Sequence, residues 1–131
     1  MFKRLTLDNG VRIVYERIPY VRSVSVGVWI GSGSRNETPS NNGISHFIEH
    51  MLFKGTRKRT AKEIAECIDS IGGQLNAFTG KECTCYYTKT LDSHIDIALD
   101  VLSDMLFRSK ITKKDLENKN FSKVLYNWDC Y

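Results

Sequence analysis
His46, Glu49 and His50 fall within five consecutive residues of a 131-residue chain, His46-Phe47-Ile48-Glu49-His50. Ile44, Phe47, Ile48, Met51 and Leu52 recur around them at helical spacing, which predicts a helix over 43–54 with these apolar residues on the core. On a helix, residues four apart share one face, about one turn apart. Two imidazoles so placed can grip a single zinc ion from the same side. Glu49, three residues from His46, is adjacent on that surface yet offset enough to reach a water instead of the metal. A carboxylate there takes the proton of a water attacking a peptide carbonyl, while zinc acidifies the water and polarises the carbonyl. Residue type and spacing thus meet the requirements of metal-assisted amide hydrolysis. A solvated surface helix is the competing reading. Against it, two of the three histidines lie inside this motif, among apolar neighbours.

The rest of the chain must position that helix. Residues 2–7 and 11–17 flank the turn signal Asp8-Asn9-Gly10 and read as a β-hairpin, with Val11, Ile13 and Tyr15 on one face. Val24, Val26, Val28 and Ile30 alternate along a third strand, and residues 31–42 form a loop. Thr60 and Glu63 have the spacing of a capping box that opens a second helix. Its stripe is Ile64, Ala65, Ile68 and Ile71, and Gly72-Gly73 ends it. Strands are expected at 74–79 and 83–90. A helix capped by Ser93 follows over 94–107, striped by Ile95, Leu99, Leu102, Met105 and Leu106, and Thr112 caps a last one. Hairpins followed by helix pairs, without βαβ alternation, predict an α+β fold: helices packed on a largely antiparallel β-sheet, in one domain over 1–131.

Composition narrows the classes. Hydrophobic residues are 41% and charged residues 26%, the balance of a globular chain and not of a disordered one. No apolar run approaches the ~20 residues that span a bilayer. There is no signal-peptide pattern at the start, which leaves the cytoplasm as the expected location and no membrane partner. The net charge of +4 gathers around Lys54, Arg57, Lys58, Arg59 and Lys62, without a nucleic-acid-binding motif, so a solvated loop is expected and no nucleic-acid partner. Cys67, Cys83, Cys85 and Cys130 are expected as buried reduced thiols, with Cys83 and Cys85 on one face of a strand. His94 reads as a helix-surface residue.

H-x-x-E-H is the inverzincin signature. The longer run from Gly43 to Thr56 resembles the signature of the pitrilysin, or insulinase, family of zinc metallopeptidases. Leu7–Ile13 is similar to that family's opening hairpin, Gly31–Glu37 to the loop before its zinc helix, and Gly72–Thr79 to its substrate-side strand. The resemblance runs from about residue 5 to 117 and implies an incomplete N-terminal domain of the pitrilysin-type metallohydrolase fold. It implies His46 and His50 as zinc ligands and Glu49 as general base. It also implies Asn76, Ala77, Phe78 and Thr79 as an edge strand on which a peptide or protein substrate is laid by β-augmentation. Without it, residues 74–79 read as an ordinary interior strand.

The pattern breaks near the end. The family's third zinc ligand is a Glu on a later helix, and its place here is held by Tyr126, with Lys119 seven residues before. Neither is a ligand at neutral pH; Asp129 is the nearer carboxylate, and Glu117 matches another Glu of the pattern. Loss of resemblance after Asn118 and the early stop are what a truncated or frame-shifted reading of a longer gene would produce. Two functions stand against each other at this stage: a zinc-dependent metalloendopeptidase, or a catalytically inactive fragment or relative that at most binds a peptide or a partner subunit.

Overall fold
A computed structural model describes residues 1–118. Strands β1 (Lys3–Thr6) and β2 (Arg12–Tyr15) form an antiparallel hairpin of their own. Gly10, at φ 87°, makes its turn in a conformation that a side chain would strain. Both strands are exposed throughout, so Val11, Ile13 and Tyr15 share a face that covers no core among the described residues.

The main sheet has the order β3–β5–β4, antiparallel throughout, from Ser23–Ile30, Thr84–Leu91 and Gln74–Thr79. Alternation along the strands sets its two faces. Val24, Val26, Val28, Leu75, Ala77 and Tyr86 lie on the helix side, where Tyr86 is buried with Leu52 of α1 and Leu102 of α3. Trp29, Phe78 and Tyr87 lie on the other side, with ring centroids 5.6 Å apart for Trp29–Phe78 and 6.3 Å for Phe78–Tyr87. Among the described residues β4 pairs only with β5, so it is an edge strand, as the resemblance implied.

Helices α1 (Ile44–Leu52), α2 (Ala61–Ser70) and α3 (Ile95–Phe107) cover the inner face, and the short α4 (Lys113–Asn118) follows. The Thr60/Glu63 capping box forms in full: Glu63 N–H donates to Thr60 Oγ1 at 3.2 Å and Thr60 N–H to Glu63 Oε2 at 2.6 Å. Gly72, at φ 65°, ends that helix. Ile64 and Ile68 of α2 pack against Val101 and Met105 of α3, each buried apolar side chain contributing about 2 kcal/mol over exposure.

Three expected core positions are exposed instead: Ile48 and Leu99 at 43% and 42%, and Ala65. Helix α3 turns Ala98, Val101, Leu102 and Met105 inward, a stripe at the same spacing but rotated from the one expected, and carries Asp104 into the core. Ser93 does not cap it. Residues Asp92–His94 tighten into a 3-10 turn, tied to β3 by the Arg22–Asp92 ion pair, so the helix opens at Ile95 with half-buried His94 flanking it. Thr112 does cap α4, accepting from Asp115 N–H at 3.2 Å. Cys83 lies in the β4–β5 turn and not on the strand; it and Cys67 are half-buried, Cys85 is buried, and all three are free thiols. Lys119, Tyr126, Asp129 and Cys130 lie outside the described residues.

Candidate functional site
The helical spacing of His46 and His50 brings their ring nitrogens together: Nε2 to Nε2 is 2.9 Å, with centroids 4.5 Å apart and planes tilted by 58°. Tetrahedral zinc with Zn–N near 2.0–2.1 Å sets its ligand nitrogens ~3.3 Å apart. The pair therefore fits a shared ion after spreading by a few tenths of an ångström. Both side chains are half-buried at the surface of α1, while Phe47 and Met51 on the adjacent face are buried and anchor the helix.

Glu49 turns toward β4, where the Thr79 hydroxyl donates a hydrogen bond to Glu49 Oε2. The carboxylate is thus fixed between the two histidines' helix and the end of the edge strand. Its charge is felt next door: burial, with Glu49 adding to it, pushes the Tyr86 phenol up to about 12. Along β4, Asn76 Oδ1 accepts Ala77 N–H at 2.8 Å. Phe78 projects to the outer face beside Trp29, away from the histidines. The structure therefore pairs His46 with His50 along α1 and Glu49 with Thr79, with Ala77 further along the same face of β4 and Asn76 and Phe78 on the far side of the sheet. Among the described residues no group of three or more His, Cys, Asp or Glu side chains is placed to hold a metal ion.

Sequence reasoning missed Glu37. The residue at the start of α1 is Gly43, which has no side chain with which to cap the helix. Glu37 supplies the acceptors from outside: Gly43 N–H donates to Oε2 at 2.6 Å and Ser45 N–H to Oε1 at 2.9 Å. Burial works against ionisation of this carboxyl, but those hydrogen bonds, with the nearby His46, outweigh it and hold its pKa below the ordinary value. The available signal was a helix start lacking a Ser, Thr, Asp or Asn cap, with an acid upstream in the loop.

The other end of α1 is held by Asp104. This fully buried carboxylate accepts from Thr56 Oγ1 at 2.6 Å, Arg108 Nε at 2.8 Å and Arg59 Nη1 at 3.1 Å, locking the loop after α1 onto α3. Arg59 also pairs with Asp100, as does Lys58 at 3.2 Å, so part of the basic cluster is engaged with acids of α3.

An H-x-x-E-H helix seated against the edge strand of an antiparallel sheet, with further helices on the same face, defines a pitrilysin-type metallohydrolase domain in part. Comparison with known proteins agrees. The family model described as Insulinase (Peptidase family M16) matches residues 12–130, and the chain belongs to that family. It is 62% identical over 119 residues to the uncharacterized zinc protease YmxG of Bacillus subtilis, covering 91% of this chain and 29% of that protein. It is 48% identical over 118 residues to the mitochondrial-processing peptidase subunit beta of Dictyostelium discoideum, covering 89% of this chain and 25% of that one. The crystal structure of a protease from Helicobacter pylori superposes with a TM-score of 0.88 at 27% identity, over 98% of this chain and 31% of that one. The chain therefore spans under a third of the length of these relatives.

Proposed function
We propose that the chain carries the zinc- and peptide-binding face of a metalloendopeptidase site. The observation that supports this most is the convergence of His46 Nε2 and His50 Nε2 on one point, with Glu49 held beside them at the end of an edge strand. In this reading His46 and His50 hold zinc, whose Lewis acidity lowers the pKa of water and polarises a carbonyl. Glu49 accepts the proton of the attacking water and returns it to the leaving amine. Thr79 keeps that carboxylate from swinging out of reach. Residues Asn76–Thr79 bind an extended peptide by main-chain hydrogen bonds, and Asn76 gives up its bond to Ala77 N–H as the peptide arrives. The substrate class is peptides or proteins, bound with little dependence on side chains along this edge.

A second reading, a non-catalytic fragment or relative that binds at most a peptide or a partner subunit, draws on the sequence near its end. The place expected for the third zinc ligand holds Tyr126, and the residue seven before it is Lys119, neither of which is a zinc ligand at neutral pH. Two protein ligands give a weaker zinc site than three.

Zinc content and cleavage of an unstructured peptide, measured on the full chain, decide between them. The peptidase reading expects zinc in the wild type, none in His50→Ala, and zinc without cleavage in Glu49→Gln. Unchanged zinc content in His50→Ala refutes the assignment of the metal site. Zinc binding without any cleavage by the wild type selects the second reading.

A further inference from the structure
We propose that Glu37 is a positioning residue for the metal-binding pair, setting the place of α1 so that both imidazoles reach one ion. This rests on the zinc-site reading of His46 and His50. The argument begins at the N-terminus of α1, where Gly43, at φ 85°, offers no side-chain acceptor to the first helical N–H groups. Glu37 bridges two of them, and the second belongs to Ser45, the residue before His46.

Glu37 is itself anchored. Ser34 N–H and Arg35 N–H donate to Gly80 O and Lys81 O at 3.2 and 2.8 Å, and Arg35 pairs with Glu82 at 2.6 Å. At Gly33 the fit is so close that a Cβ would stand 2.5 Å from Gly80 O. Gly80 directly follows Thr79, the residue bonded to Glu49. The loop at 33–37 thus forms a rigid strut from the end of β4 to the start of α1. Without the Glu37 bonds, the helix keeps its core contacts through Phe47 and Met51, but its first turn loses its fixed relation to β4. His46 sits in that first turn and His50 in the last, so the loosening falls unequally on the two ligands.

The test is chelator-competition titration of the full chain with zinc, and the visible absorption of its cobalt complex, for wild type, Glu37→Gln, Glu37→Ala, His50→Ala and Thr60→Ala. Losing an outer partner that orients metal ligands costs on the order of 10- to 100-fold in affinity. Glu37→Ala is expected in that range, and Glu37→Gln, which keeps one acceptor oxygen and the side-chain volume, nearer its lower end. Both are expected to weaken the cobalt bands that report a tetrahedral site. Thr60→Ala removes a cap of the neighbouring helix and lowers stability without touching the strut, so its zinc affinity should equal the wild type's. Where Glu37→Ala does not fold, Glu37→Gln carries the reading. Wild-type affinity and cobalt spectrum in folded Glu37→Gln overturn the inference, as does an equal loss in Thr60→Ala, which would make the effect one of general stability. If wild type and His50→Ala bind zinc alike, the metal-site reading itself fails and takes this inference with it.

Discussion

Replacing Asp104 tests how the loop after the histidine helix is held. The carboxylate is fully buried and takes three hydrogen bonds, from Thr56, Arg59 and Arg108. Asp104→Ala removes the acceptor of the Thr56 hydroxyl proton, while Thr56 Oγ1 keeps the Lys58 and Arg59 N–H groups that donate to it, a cost near the lower end of about 1–3 kcal/mol. It also takes one carboxylate from Arg59, whose side chain is only 13% exposed. Breaking a buried pair from one side costs about 3–5 kcal/mol. The lower end applies here, because Arg59 keeps Asp100, and Arg108, half exposed, recovers most of its loss in water. The expected destabilisation is therefore about 3 kcal/mol, or roughly 12 °C in Tm for a chain of this size. Urea and thermal unfolding followed by circular dichroism measure it. Asp100→Ala removes a carboxylate that meets Arg59 and Lys58 at the surface, and its loss should be much smaller. The pH dependence follows from the same bonds. Burial alone would raise the Asp104 pKa, but the bonds from Thr56, Arg108 and Arg59 hold it below its usual 3.8. A depressed carboxylate stabilises the fold above its unfolded pKa and loses that contribution as pH falls through the folded value. The gap between wild type and Asp104→Ala should thus be full at neutral pH and begin to narrow only below about pH 4, as pH falls toward the depressed folded value. If Asp104→Ala is no more damaging than Asp100→Ala, or the gap does not narrow in acid, the buried-network account is wrong.

Two further outcomes concern the elements around the site. Gly33→Ala places a methyl within 2.5–2.7 Å of the Gly80 and Lys81 carbonyls, so it should cost about 1–3 kcal/mol in urea unfolding; a neutral result would mean that the loop does not sit on the β4–β5 turn. Cys85 is 1% exposed with its thiol pKa raised by burial, while Cys67 and Cys83 are half-buried. Alkylation mapped by mass spectrometry should therefore mark Cys83 and Cys67 well before Cys85, and equal labelling would contradict the packing of Trp29 and Phe78 over that face.

What the sequence determined by itself is local. The pairing of His46 with His50, the Thr60/Glu63 capping box, the Gly72 stop and the limits of β4 all follow from spacings of a few residues, where backbone geometry alone sets which groups meet. The α+β class was legible for the same reason, since hairpins and helix pairs announce themselves by period and turn chemistry. What packs against what was not. Periodicity marks an apolar stripe but not its rotation, so Ile48 and Leu99 belong to the pattern and still face outward, while Ala98 and Val101 are buried. Nor does a charged residue on a helix reveal that it enters the core, as Asp104 does, because its partner Thr56 lies 48 residues away. Thr79 meets Glu49 across 30 residues, and Glu37 reaches α1 through a loop whose path is set by the β4–β5 turn. These contacts depend on loop closure and on the shape of the packed layers. The candidate site residues could therefore be named from the chain, whereas the groups that hold them in place were decided only by the tertiary fold.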